Sequence, residues 1–359
     1  MRNGDFAVNN RFLRACRREP VDRVPVWFMR QAGRYDPEYR QIRETYTLLD
    51  ICREPELCAR VTRMPVDKLG VDAAILFSDI MVPVGAMGMS FSLQENVGPV
   101  MEQPLRTDED VARLHAFDPE EALPYVLETI RYLAKALPVP LIGFAGGPFT
   151  LASYMIEGGP SRDYLRTKTM MLARPDLWHA LMDKLSQAMS RYLRAQIQAG
   201  ASAVQIFDSW VGSLSVHTFR AHVKPYVQRM LTDLAPLGVP VIYFGVHTGE
   251  LLAEFAEAGA TVVGVDWRTP LDRARQRVGT SVALQGNLDP VSLFAPPDAL
   301  RREVETVLRL GTESPGYIFN LGHGVKPTTD LAQLQRVVEW VHAFEPQNQA
   351  ARRTKEELA

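Results

Sequence analysis

Eight short apolar runs, each followed by a loop of small or polar residues and then by a helical pattern, constrain this chain more than any other feature. They are Val24–Met29, Ala73–Phe77, Leu141–Ala145, Ala203–Phe207, Val241–Val246, Val262–Val265, Val282–Leu284 and Tyr317–Asn320. The runs are unbroken rather than alternating, as expected of parallel strands covered on both faces. Amphipathic helical patterns lie among them at Pro175–Ala199, His217–Leu237, Glu250–Ala258, Asp298–Gly311 and Thr328–Phe344. Eight βα units in about 340 residues predict an α/β fold of the (β/α)8 TIM-barrel type. A doubly wound open sheet is the rival, but it wants a GxGxxG turn after its first strand, and this chain has RQAGRY there.

The interval after the second run is long. It contains MSFSLQENVGPVMEQPL, which alternates and turns like an inserted β-hairpin, and then a helical pattern around Pro119–Leu137. No Gly-, Ser- or Pro-rich linker interrupts the units, so residues 1–345 are expected to form a single barrel domain. The polar tail of residues 346–359, PQNQAARRTKEELA, is expected to fray.

Net charge is −2, which argues against a nucleic-acid partner. No 18-residue apolar run and no signal-peptide pattern occurs, so a membrane is not expected. The three cysteines, Cys16, Cys52 and Cys58, form no CxxC pair and read as buried thiols in a reducing cytoplasm.

In a barrel the chemistry sits at the carboxyl ends of the strands. Read in order, those ends carry Arg30, Gln31 and Arg34; Ser78 and Asp79; GGPFTLASY from Gly146 to Tyr154; and Asp208, Ser209 and Trp210. Next come His247, then Asp266 and Trp267, then Gln285, Gly286 and Asn287, and last Gly322, His323 and Gly324. Several guanidinium groups around one mouth predict a polyanionic ligand, because the planar fork matches carboxylate or phosphate. Gly33 between two arginines suits close approach of backbone to that ligand. The competing reading is a structural network with Asp36, Glu38 or Glu44.

Asp79 stands after AAILF, where a carboxylate either caps the next helix or meets ligand N–H groups and developing positive charge. The glycines of GFAGGPFT suit a phosphate turn or a plain tight turn, and no P-loop ending follows. Tyr154 falls about one turn into the following helix, within reach of the mouth. Ser209 lacks a GxSxG elbow and reads as a ligand-binding hydroxyl rather than a nucleophile. His323, between two glycines, has little to pack against. His217 and His222 are five apart, with no HExxH nearby, and the cofactor fingerprints are missing. A site free of metal and cofactor is expected, for a polycarboxylate or polyphosphate.

The segments VPVWFMRQAGRYDPEYR, FSDIMVP, GFAGGPFTLASYMIEGG, FDSWVGSLS and NLGHGV resemble the uroporphyrinogen decarboxylase family, in order, from about residue 9 to residue 343. The resemblance implies a (β/α)8 barrel, a homodimer, no cofactor, and decarboxylation of the four acetates of uroporphyrinogen III to give coproporphyrinogen III. Carried over by motif, Arg30, Gln31, Ala32, Gly33 and Arg34 would bind substrate carboxylates, with Arg43 as an extension. Asp79 would accept from the pyrrole N–H groups, and Tyr154, Ser209 and His323 would reach carboxylates from other strand ends. Asp79 and Arg30 would form the catalytic set, Arg30 chiefly by binding and positioning, since a guanidinium rarely gives up its proton. His247 does not transfer from the family's pattern. The alternatives are a zinc- and corrinoid-dependent methyltransferase on the same barrel, which would need a His-x-Cys pair where this chain has His247-Thr248-Gly249, and a non-catalytic tetrapyrrole binder.

Overall fold

In the computed structural model, which describes residues 9–94 and 97–345, the apolar runs line up in one curled parallel sheet. The strands are β1 (Ala74–Ile75), β2 (Phe91–Gln94), β3 (Gly98–Met101), β4 (Leu141–Gly146), β5 (Ala203–Phe207), β6 (Val241–Phe244), β7 (Val262–Gly264), β8 (Ala283–Leu288) and β9 (Tyr317–Leu321). Seven of them pair in the order β1-β4-β5-β6-β7-β8-β9, while β2 and β3 form the antiparallel hairpin expected after the second run. The runs are mostly apolar on both faces because one face meets the lumen and the other the helices. The helix Pro175–Ala199 shows the outer layer. It turns Leu177, Leu181, Leu185 and Met189 inward at a four-residue spacing, and each such burial contributes ~1.5–3 kcal/mol before conformational costs.

The first expected strand, Val24–Met29, differs. Only Val26 bridges, to Phe319 of β9, yet the segment still closes the ring. Trp27 N–H reaches Phe319 O at 3.3 Å on one side, and Asp72 N–H reaches Val26 O at 2.7 Å on the side leading into β1. Side chains take the other donors. Asp72 Oδ2 accepts from Val26 N–H, Gln31 Oε1 from Phe28 N–H and Asn320 Oδ1 from Met29 N–H. With Pro25 contributing no N–H, a regular ladder has nothing to build on.

Polar residues cross the lumen. Trp27 Nε1–H donates to Gln285 Oε1 at 2.9 Å, and Gln285 Nε2–H donates to Gln205 Oε1 at 3.1 Å, all three side chains being buried. Since β5 and β8 are not neighbours, that contact passes through the inside of the barrel. The pattern expected over His217–Leu237 is broken into Val216–His222, Lys224–Leu234 and a 3-10 turn at Ala235–Leu237. Pro225 supplies the reason, lacking an N–H and crowding the preceding turn. The tail at 346–359 lies outside the described residues.

Candidate active site

Arg30 leaves the first segment in the left-handed region, at φ +60°. A long side chain holds that conformation at a cost of about 1–3 kcal/mol, so its surroundings must enforce it. Gln31 N–H bonds Phe28 O, Val325 N–H bonds Met29 O at 2.9 Å, and Tyr35 Oη–H donates to Gln31 O. Arg40 spends its guanidinium on Arg34 O and Tyr35 O. Arg43 spends its own on Tyr46 O and the Tyr39 hydroxyl. The nearby carboxylates are also taken: Lys68 pairs with Asp36 and Glu38, and Arg60 with Glu38. The backbone that carries Arg30 is thus pinned, while its guanidinium, exposed to the mouth, pairs with none of them.

Asp79 follows β1, is partly exposed as a residue, and lines the same mouth. Its Oδ1 accepts Met81 N–H at 2.9 Å, so it does brace the next turn, as a capping aspartate would. Burial of the carboxyl among apolar walls raises its pKa, while Met81 N–H and the Arg30 charge pull the other way. Tyr154 lies against Trp210, ring centroids 3.9 Å apart, and burial raises its pKa so that the hydroxyl keeps its proton.

Asp208 behaves differently from Asp79 although both follow a strand. It is fully buried, with Oδ1 accepting Thr150 N–H and hydroxyl at 2.8 and 2.6 Å and Oδ2 accepting the Tyr243 hydroxyl at 2.8 Å. Thr150 Oγ1 in turn accepts Trp210 N–H at 3.1 Å. This network fixes the turn that presents Ser209 and Trp210. His323 keeps Nδ1 as acceptor for Gly324 N–H at 2.7 Å, which leaves the ring proton on Nε2. Burial first, then the charges of Arg30, Lys326 and Arg268, lower its pKa to about 4.

Arg30, Ala32, Gly33, Arg34, Asp79, Tyr154, Ser209 and His323 all line one cleft of about 590 Å³. Gln31 does not. Its side chain is buried, bridging Phe28 N–H and Ala73 O, and it serves the closure of the barrel. The far half of the mouth is also turned inward. Asp266 accepts His247 N–H and Arg268 N–H, and Asn287 donates to Asp266 O and Thr269 O. The cleft is therefore one-sided, built from the first segment, β1, β4, β5 and the loop after β9. Sequence reasoning missed its apolar wall of Phe144 and Phe207, packed edge to face at 5.4 Å, and the hairpin residues Leu93, Gln94, Gly98 and Pro99. Aromatic residues near the carboxyl ends of β4 and β5 carried the signal for the wall. The sequence showed the hairpin but nothing in it placed the hairpin at the cleft.

A mouth of this make-up combines guanidinium groups, one carboxylate near the floor and aromatic walls. It suits a ligand with apolar faces and several carboxylates.

Comparison with known proteins points the same way. The family described as uroporphyrinogen decarboxylase matches residues 7–344. A protein named uroporphyrinogen decarboxylase from Sorangium cellulosum is 54% identical over 94% of this chain and 97% of its own length. One so named from Thermus thermophilus is 55% identical over 93% and 98%. Among solved structures, a methyltransferase from Methanosarcina mazei superposes with a TM-score of 0.79 at 23% identity, covering 94% of this chain and 98% of that one, a likeness of fold.

Proposed function

The chain belongs to the uroporphyrinogen decarboxylase family, and from that premise we propose how its cleft carries out the reaction. The protein is a carboxy-lyase of porphyrin and heme biosynthesis, converting uroporphyrinogen III to coproporphyrinogen III by loss of four carbon dioxide molecules. The observation that carries the reading of the cleft is Asp79 set among apolar walls with guanidinium groups at the rim. Arg30 and Arg34 hold acetate and propionate carboxylates, and Tyr154, Ser209 and the Nε2–H of His323 take others. Ala32 and Gly33 bring backbone close to the substrate. Asp79 accepts the pyrrole N–H groups, which favour its charged form and offset the burial that raises its pKa.

Direct loss of carbon dioxide would leave a poorly stabilised carbanion. Protonation of a pyrrole ring carbon gives an iminium instead, and the electrons of the breaking C–C bond flow into it as carbon dioxide leaves. The exocyclic methylene then takes a proton to become the methyl group, and the ring proton is lost. The Asp79 carboxylate stabilises the cation on that path, an effect worth several kcal/mol in a dry site. Arg30 positions the reacting carboxylate.

The protein works in the cytoplasm as a homodimer in this reading, with no metal or organic cofactor. Among the described residues no helix is long and apolar enough to cross a membrane. The test is anaerobic incubation with uroporphyrinogen III in the presence of a chelator, followed by oxidation and separation of porphyrins by carboxylate count. Products with seven, six, five and four carboxylates are expected. An unchanged eight-carboxylate substrate from folded protein would overturn the reading.

A further inference from the structure

One cation at the rim has entered the site so far only through its charge on His323. Lys326 closes the loop Gly322-His323-Gly324-Val325-Lys326 after β9, is exposed, and lines the same cleft as Arg30 and His323. Its backbone is fixed on both sides. Val325 N–H is bonded to Met29 O at 2.9 Å, and Lys326 O accepts Thr329 N–H at 3.1 Å, with Pro327 between them. The loop is therefore stapled to the segment that carries Arg30, and the Lys326 stem starts from a defined place beside it.

The neighbouring cations show what is unusual about this one. Lys68 is paired with Asp36 and Glu38, Arg268 with Asp266, and Arg40 and Arg43 with backbone carbonyls. Lys326 has no ion pair with any carboxylate among the described residues. An ammonium on a lining residue, matched by no internal acid, is free for an external one.

We infer that Lys326 is a further substrate-binding residue, its ammonium taking an acetate or propionate carboxylate at the edge of the macrocycle. The inference rests on the reading of the cleft given above. Its chemistry differs from that of Arg30. A guanidinium is a planar fork that demands one geometry, whereas an ammonium on a four-carbon stem is a mobile point charge with three donors. Four acetates on four pyrrole rings must be processed, so the side chains met at the rim change from one decarboxylation to the next. A rigid fork suits the reacting position, and a flexible charge suits the changing edge.

Lys326→Gln and Lys326→Arg test this by anaerobic steady-state kinetics on uroporphyrinogen III and on the five-carboxylate porphyrinogen, with thermal unfolding to confirm folding. Lys326→Gln should raise KM about fivefold with kcat within twofold, as for a partly exposed charge-assisted contact. Lys326→Arg should restore most of that loss, and the difference should shrink as salt is raised. A KM for Lys326→Gln equal to wild type, with wild type active, overturns the inference and leaves the decarboxylase reading standing. So does a KM effect confined to pH below about 5, where Lys326 would be acting through the protonation of His323. An inactive wild type would instead bring down the reading on which the inference rests.

Discussion

Gly324 lies directly under the side chain of Arg30. A β-carbon at 324 would stand 2.7 Å from Arg30 Cγ and 3.1 Å from Nε, inside contact distance of the stem along its length. The glycine is thus a cradle that lets the guanidinium lie across the loop into the cleft. The obstructed atoms belong to a flexible side chain, so a larger residue should swing Arg30 away without unfolding the protein. Gly324→Val is expected to lower kcat/KM by about tenfold to a hundredfold, the usual cost of misplacing a positioning group. Its melting temperature should stay near that of wild type. Kinetics close to wild type would mean that the position of Arg30 is unimportant.

Asp79→Asn separates chemistry from stability. The amide cannot oppose a cationic ring, and kcat should fall by about a hundredfold to a thousandfold. Stability should move the other way. Burial raises the folded-state pKa above the ordinary 3.8, so the folded protein holds that proton more tightly than the unfolded chain does. The ionised carboxylate therefore costs stability, a cost that sets in as pH rises above the ordinary 3.8 and grows until pH passes the raised folded pKa. The asparagine variant should melt higher than wild type at pH 7, with the gap closing towards pH 3. An active variant, or one that melts lower at pH 7, would remove Asp79 from the role given to it.

The barrel was legible because parallel strands covered on both faces leave unbroken apolar runs, and eight of these could be counted. The segment at Val24–Met29 reads like the others yet barely bridges, since Asp72 and Asn320, distant in the chain, and Gln31 just beyond the segment capture its donors. Such competition is invisible to a local pattern. The same holds for the aspartates after β1 and β5. Asp79 and Asp208 look alike in sequence, and only the Tyr243 hydroxyl and Thr150 decide that Asp208 is structural. Gln31 shares a motif with Arg30 but turns inward, its amide held between Phe28 N–H and Ala73 O. The break at Pro225 was readable from the proline alone.

Asp208 gives a stability prediction that follows from this contrast. Its two oxygens satisfy three donors in a fully buried place. Asp208→Asn replaces one acceptor with an NH2 group that faces a hydroxyl or an N–H. Stability should fall by about 1–3 kcal/mol in urea unfolding, the cost of a buried unsatisfied group. Because Trp210 N–H hangs on the same network through Thr150, KM should rise as well. Unfolding at the wild-type urea midpoint would show that the network is dispensable.

His323 should work as a neutral donor across the whole working range of pH. Its Nδ1 is occupied by Gly324 N–H, and its pKa stands at about 4, below the ordinary 6.5. A histidine whose folded pKa is depressed contributes stability that is present above pH 6.5 and is lost as pH falls through about 4. Two measurements check this. The ring proton signal followed by NMR should titrate near 4 in the free protein, and a midpoint above 6 would contradict the neutral-donor role. His323→Gln keeps an N–H donor without a titrating ring, so it should retain more activity than His323→Ala, for which a KM rise of about tenfold is expected from a lost hydrogen bond to a carboxylate. The glutamine variant should also lose less stability than wild type between pH 6.5 and pH 4, because the proton that the unfolded histidine takes up there is no longer in play.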